Sequence, residues 1–252
     1  LRDGALCPYR YWPVLVELTD EEREQYLQLS ERIAKVASMH EDDDPDNPVK
    51  QLLIRRARII ALAENKIPSV RRIMEGRLRS DSTLFYCGDG RVNTGADASE
   101  QRHVDALSRV LGYDLGFRVD TYTADDSLES RERKREAFQK GESQGLVAIR
   151  CLDEGVDIPG VRTAFLLASS TNPRQFIQRR GRLLRPAPKK KHAEIFDFVV
   201  SPPAGAEAFG PERRLLKKEL SRFAQFADLA MNAGQARSVL LPLQRRFGLL
   251  DM

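Results

Sequence analysis

Leu146-Val147-Ala148-Ile149-Arg150-Cys151-Leu152-Asp153-Glu154-Gly155-Val156-Asp157-Ile158-Pro159 opens on four apolar residues, turns at a charged stretch around Gly155 and closes on a proline. A short apolar run bounded by turn residues reads as a buried strand that feeds a loop. The same rhythm recurs on both sides of it. Thr83-Leu84-Phe85-Tyr86-Cys87 stops at Gly88-Asp89-Gly90, and further strands are expected at 117–122, 163–168 and 194–200. Helical patterns at 99–111, 127–140 and 173–184 separate them. Alternation of β and α at this spacing predicts a parallel sheet covered by helices on both faces.

Outside that series the chain reads as helical. Thr19-x-x-Glu22 has the form of a capping box, and Tyr26, Leu29, Ile33 and Val36 follow at helical spacing, which predicts a helix over 20–39. Clustered carboxylates and two prolines between Glu41 and Pro48 predict a solvated loop. A second helix is expected from Val49, and a third runs to Arg79 with Pro68 in its first turn. Residues 1–79 are therefore expected to be a mainly helical lead-in, 80–202 the sheet domain and 203–252 a helical appendix. In the appendix Leu215, Leu216, Leu220, Phe223, Phe226 and Leu229 recur at helical intervals.

Composition excludes some classes. Of 252 residues 41% are hydrophobic, enough for a sizeable core. No apolar run approaches the roughly 18 residues that a membrane helix needs, so no membrane partner is expected. The first residue is Leu1 rather than Met and no secretory signal is visible, so the chain reads as a piece of a longer, cytoplasmic polypeptide, nucleoid-associated if the source is bacterial. Three widely spaced cysteines, Cys7, Cys87 and Cys151, with three histidines show no metal-ligand spacing and read as reduced thiols. Forty-one basic against 37 acidic residues leave a net charge of +4, but that is an average. Residues 41–46 are acidic, whereas no acidic residue occurs between Ile158 and Ala193.

In open parallel sheets ligands sit beyond the carboxyl ends of the strands, so the loops after residues 87, 122, 150 and 168 are the places for chemistry. Asp153, Glu154 and Asp157 surround Gly155, where the backbone can approach a ligand closely. Taken alone this is equally an acidic turn with a bulge. The helix after Asn172-Pro173 is more informative. Gln175, Gln178, Arg179, Arg182 and Arg185 fall on one stripe, and Phe176, Ile177, Leu183 and Leu184 on the opposite one. The apolar stripe would anchor the helix and leave three guanidiniums pointing together, a geometry suited to phosphate oxygens. Gly88-x-Gly90 after a strand invites a dinucleotide-binding reading, but the next glycine, Gly95, stands at the wrong spacing.

Gln175-Phe176-Ile177-Gln178-Arg179-Arg180-Gly181-Arg182-Leu183-Leu184-Arg185 resembles motif VI of superfamily 2 helicases and translocases, and Leu152 to Pro159 resembles their motif V. The two occur in the family's order and separation. Leu84 to Cys87 is similar to the strand of motif IV, and Ser130 to Gly141 to the helix before motif V. The wording is closest to XPB-like and restriction-type DEAD/DEAH box members. The resemblance implies a RecA-like C-terminal lobe, α/β in class, with helical additions at both ends. It implies an ATP-dependent DNA translocase in which ATP and Mg2+ lie between two lobes and nucleic acid crosses both. By position Arg182 and Arg185 would be the arginine fingers facing the γ-phosphate. Gln178, Arg179, Gly155 and Asp157 would contact nucleotide, and Ser169, Ser170, Thr171 and Arg174 the nucleic-acid backbone.

The dipeptide Gly-Lys occurs nowhere, so the chain holds no P-loop of the G-x-x-x-x-G-K-[ST] form. An N-terminal RecA-like lobe is the implied partner, and without it the fragment is expected to be an inactive ATPase. Two positions depart from the family pattern. Ile149 stands where many members have threonine, and Arg180 where an apolar residue is common; Arg180 is expected to pair with a carboxylate. A non-catalytic module of the same fold, holding phosphates by charge alone, is the other reading. Restriction of foreign DNA and repair are both compatible pathways.

Overall fold

The structure is a computed structural model that describes residues 6–37, 48–93, 100–149, 160–168, 181–188, 190–203, 217, 220–221 and 223–250. In chain order the elements are β1 (Tyr9–Glu17), α1 (Asp20–Ala37), α2 (Pro48–Leu62), α3 (Lys66–Glu75), β2 (Thr83–Cys87), β3 (Arg91–Asn93), β4 (Glu100–Arg102) and α4 (His103–Arg109). They continue with a π-helical turn at Val110–Asp114, β5 (Val119–Tyr122), α5 (Leu128–Lys140), β6 (Gly145–Ile149), β7 (Thr163–Leu166), β8 (Ala193–Ser201) and, after further helix at 223–228, α6 (Ala233–Arg246).

Six of these strands form one sheet in the order β1-β8-β7-β2-β6-β5, and every neighbouring pair is parallel. The central strands are apolar along their length, and all five residues of β2 and all four of β7 are buried. That is what a sheet covered on both faces requires. Alternate side chains divide between two cores. Leu84, Tyr86, Leu146, Ala148, Ala164 and Leu166 pack on one face with Tyr26, Phe138, Phe223 and Leu240 of the covering helices. Phe85, Val147, Phe165, Phe196 and Phe198 pack on the other with Val70, Met74, Val104 and Leu107. On that second face Phe85, Phe165 and Phe196 stack in a row across β2, β7 and β8, with centroids 4.8 and 4.7 Å apart. Each such stacked pair adds about 1 kcal/mol beyond the area it buries.

Several elements begin and end where their local chemistry dictates. Thr19 and Glu22 make the reciprocal capping bonds, Thr19 N–H to Glu22 Oε2 at 3.0 Å and Glu22 N–H to Thr19 Oγ1 at 3.3 Å. Ser127 accepts the Ser130 N–H at the start of α5, and Gly141 ends that helix in the left-handed region at φ 78°.

Four features differ from the sequence expectation. No strand is expected before residue 83, yet β1 adds to the sheet edge in parallel with β8. The expected helix over 99–111 begins instead as β4, paired antiparallel with β3, and turns helical only at His103. The third helix ends at Glu75 rather than Arg79, because Gly76 closes it and the Arg77 N–H turns back to the Met74 carbonyl. Strand β7 ends at Leu166, two residues short of the expected 168. Residues 38–39 of the expected first helix and 41–47 of the acidic loop lie outside the described residues.

Candidate functional site

β2 and β7 are neighbours, but β2 leads toward the β5 edge and β7 toward β8. Adjacent parallel strands whose connections diverge leave a crevice at their carboxyl ends, where ligands of such sheets bind. Two buried polar side chains stand here. Lys66 at the start of α3 is 1% exposed, and its ammonium donates to Ile60 O at 2.6 Å, Ala61 O at 3.3 Å and Leu167 O at 2.5 Å. One lysine thereby caps the end of α2 and ties it to the chain leaving β7. His103 is fully buried, its backbone N–H bonds Gly90 O at 2.9 Å, and neither ring nitrogen has a hydrogen-bond partner. Burial, with the Lys66 charge adding to it, pushes the His103 imidazole down to about 3, so it is neutral at physiological pH.

Packing requires the glycines of the loop after β2. A Cβ on Gly90 would lie 2.4 Å from Leu62 Cδ1, and one on Gly88 would lie 2.9 Å from Leu62 Cδ2 and 3.2 Å from the Ala61 carbonyl oxygen. These glycines let the end of α2 close over the loop. The loop after β5 is held by α5: Arg131 donates to Thr123 O at 3.1 Å and Ala124 O at 2.7 Å, and Lys134 pairs with Asp126 at 2.5 Å. Arg102 of β4 reaches across to Asp125 at 2.7 Å, so the β3–β4 hairpin is tied to the loop after β5.

Of the residues singled out from the sequence, Arg182 and Arg185 are described. Gly181–Leu183 is helical, Arg182 is half-buried and Arg185 exposed, whereas Leu183 and Leu184 are 2% and 0% exposed and belong to the core. The expected opposition of an apolar and a basic face holds at these four positions. Gln178, Arg179, Gly155, Asp157, Ser169, Ser170, Thr171, Arg174 and also Arg180 lie outside the described residues.

The end of the arginine turn is held from two directions. The Lys190 ammonium donates to Leu183 O at 2.6 Å and Arg185 O at 3.2 Å, and the Cys7 N–H donates to Leu184 O at 2.8 Å. Burial lowers the Lys190 pKa from its ordinary value, an effect that the neighbouring Cys7 side chain opposes. Sequence reasoning gave Lys66 and His103 no role, because a single lysine or histidine carries no periodic or motif signal, and it read Lys190 with Lys189 and Lys191 only as charge for phosphate in the charge-only reading. Cys7 and Cys87 are buried and form no disulfide. Among the described residues there is no group of three or more His, Cys, Asp or Glu that could hold a metal ion, and no helix long and apolar enough to cross a membrane.

A six-stranded parallel sheet flanked by helices, with an arginine-bearing turn between its switch-point strand and β8, is a RecA-like α/β fold. Residues 80–187 match the family model of the helicase conserved C-terminal domain. The chain is similar to the DNA 3'-5' translocase XPB2 of Sulfurisphaera tokodaii, 24% identical over 212 residues that make up 77% of this chain and 44% of that protein. Its fold resembles the Sulfolobus solfataricus SWI2/SNF2 ATPase core in complex with dsDNA, with TM-score 0.59, 12% identity and coverage of 94% of this chain and 49% of that one. The C-terminal part of the Fun30 ATPase domain has the same fold, with TM-score 0.56, 10% identity and coverage of 84% of this chain and 89% of that one. The chain spans less than half the length of the curated relatives it matches.

Proposed function

We propose that this lobe completes the ATPase site of a DNA translocase, with Arg182 and Arg185 facing the γ-phosphate of ATP held by an N-terminal lobe. The observation that carries the reading is the division of the turn Gly181–Arg185, where two leucines sink into the core and two arginines stand away from it. A guanidinium fixed in this way stabilises the charge that builds on a transferring phosphoryl group. ATP supplies the phosphoryl group and the P-loop lobe holds most of the Mg2+ contacts. Gln178, Arg179, Gly155 and Asp157 complete the nucleotide contacts in this reading, while Ser169, Ser170, Thr171 and Arg174 touch the DNA backbone. Motif wording favours a role in restriction of foreign DNA over repair, in the cytoplasm.

The test is nucleic-acid-stimulated ATP turnover by the full-length protein. Arg182→Ala and Arg185→Ala should each lower turnover by about 10³-fold, the scale of an arginine finger. Wild-type turnover in both variants, with weaker DNA binding and a shallower salt dependence, would establish the charge-only module in its place.

A further inference from the structure

We infer that Lys190 is a positioning residue for the arginine pair, holding Arg182 and Arg185 in place by binding the carbonyls at the end of their helical turn. The inference rests on the arginine reading above.

The last carbonyls of any helix lack partners within it and carry the negative end of its dipole. Here the following sequence, Pro186-Ala187-Pro188, makes the shortage worse. Proline has no N–H, so Pro188 cannot donate to the Leu184 carbonyl nor Pro186 to that of Arg182. Substitutes come from within the turn and from two segments outside it. The Cys7 N–H takes Leu184 O at 2.8 Å, and the Arg185 N–H bends back to Arg182 O at 3.4 Å. Lys190 takes the carbonyls on either side of Leu184, those of Leu183 and Arg185, at 2.6 and 3.2 Å. Its own N–H closes a turn on Ala187 O at 3.1 Å, which brings the side chain back over the residues it holds.

Three consecutive carbonyls are therefore fixed by two donors, one reaching in from the segment before β1 and the other from the segment before β8. The Arg185 backbone is bound directly and the Arg182 backbone lies one residue from a bound carbonyl. An arginine finger works only when its guanidinium meets the phosphate in a narrow geometry, and a misplacement of about 1 Å costs on the order of a hundredfold in rate. With its ammonium engaged on two backbone oxygens and beside the Cys7 side chain, Lys190 acts through the arginines rather than on the phosphate.

The experiment compares Lys190→Met, Lys190→Arg, Arg182→Ala and Arg185→Ala in the full-length protein, with steady-state ATPase, DNA affinity and thermal midpoint measured on each. The expected result is a kcat for Lys190→Met lowered at least roughly tenfold. KM for ATP and DNA affinity should stay near wild type, the midpoint should fall by less than it does for the more deeply buried Lys66→Met, and Lys190→Arg should recover most of the rate. If either arginine variant loses turnover while Lys190→Met keeps it, the positioning role is overturned and the arginine reading stands. Parallel losses in kcat, DNA affinity and midpoint without rescue by Lys190→Arg would show general destabilisation and overturn it as well. Wild-type turnover in both arginine variants would overturn the arginine reading and this inference with it. Should Lys190→Met fail to fold, Lys190→Gln, whose amide reaches one carbonyl, is read by the same criteria.

Discussion

The ammonium of Lys66 donates to the carbonyl of Leu167, 101 residues away, at 2.5 Å. The same ammonium caps α2 through Ile60 and Ala61, so one buried charge joins the helical lead-in to the chain leaving β7. Lys66→Met removes the charge and leaves those carbonyls without this donor. A buried charge held by good acceptors is costly to break, and a loss of about 3 kcal/mol is expected in urea unfolding. A loss below about 0.5 kcal/mol would show that solvent replaces the ammonium without difficulty.

Acid sensitivity should follow from His103. Its imidazole titrates near 6.5 when the chain is unfolded but is pushed down to about 3 by burial in the fold. The unfolded state therefore binds the proton first, so the contribution is complete above pH 6.5 and is lost as pH falls toward 3. The slope approaches about 1.4 kcal/mol per pH unit between the two values. Urea midpoints at pH 7.5 and 5.5 should show the loss in wild type. In His103→Leu, which also removes an imidazole whose nitrogens have no partner, the dependence over that interval should shrink and stability at pH 7.5 should hold.

Gly90 and Leu62 should behave as a coupled pair. An alanine methyl at position 90 would lie 2.4 Å from Leu62 Cδ1, which is the far end of a flexible side chain. Gly90→Ala is expected to destabilise by about 2 kcal/mol, and Leu62→Ala in the same chain should recover part of that, giving a favourable coupling of about 1 kcal/mol. Gly88→Ala should be rescued less well, because its methyl also meets the Ala61 backbone oxygen at 3.2 Å. Additive effects at Gly90 and Leu62 would contradict the packing assignment.

Asn232 covers the sheet edge. Its side-chain amide accepts from the Tyr11 N–H at 2.9 Å and donates to the Tyr11 carbonyl at 3.0 Å, as a neighbouring strand would, and the Met231 N–H bonds Tyr9 O at 2.8 Å. Exposed strand edges invite pairing with other chains. Asn232→Ala should cost about 1 to 2 kcal/mol in urea unfolding and raise light scattering on mild heating. A variant of unchanged stability that scatters no more than wild type would remove this role.

Much of the fold was legible in the sequence because its signals are local. Thr83–Cys87 and Gly145–Ile149 are apolar runs of strand length, Ala193–Ser201 is a β-rich run interrupted by Glu194 and Asp197, and the capping box at Thr19 and Glu22 marks a helix start by itself. Strand β1 was not legible. It carries Pro13, which counts against a strand in the interior of a sheet, and the sheet tolerates it because β1 pairs on one side only, with β8. The β3–β4 hairpin was hidden by strands of three residues each, too short for a period-two pattern to register. At the candidate site the opposition of Leu183 and Leu184 to Arg182 and Arg185 was visible from helical spacing alone.

What the sequence by itself determined, then, is the alternation of two-faced apolar strands with helices, and the side of one turn on which its arginines stand. Both are consequences of residue spacing along one element. The tertiary structure alone decided that α2 closes over Gly88 and Gly90 and that His103 is buried beside Lys66. It also decided that the carbonyls of Leu167, Leu183 and Arg185 are taken by Lys66 and Lys190. An ammonium on a flexible stem can bond any carbonyl the fold brings within reach, and which carbonyl that is depends on how distant segments pack.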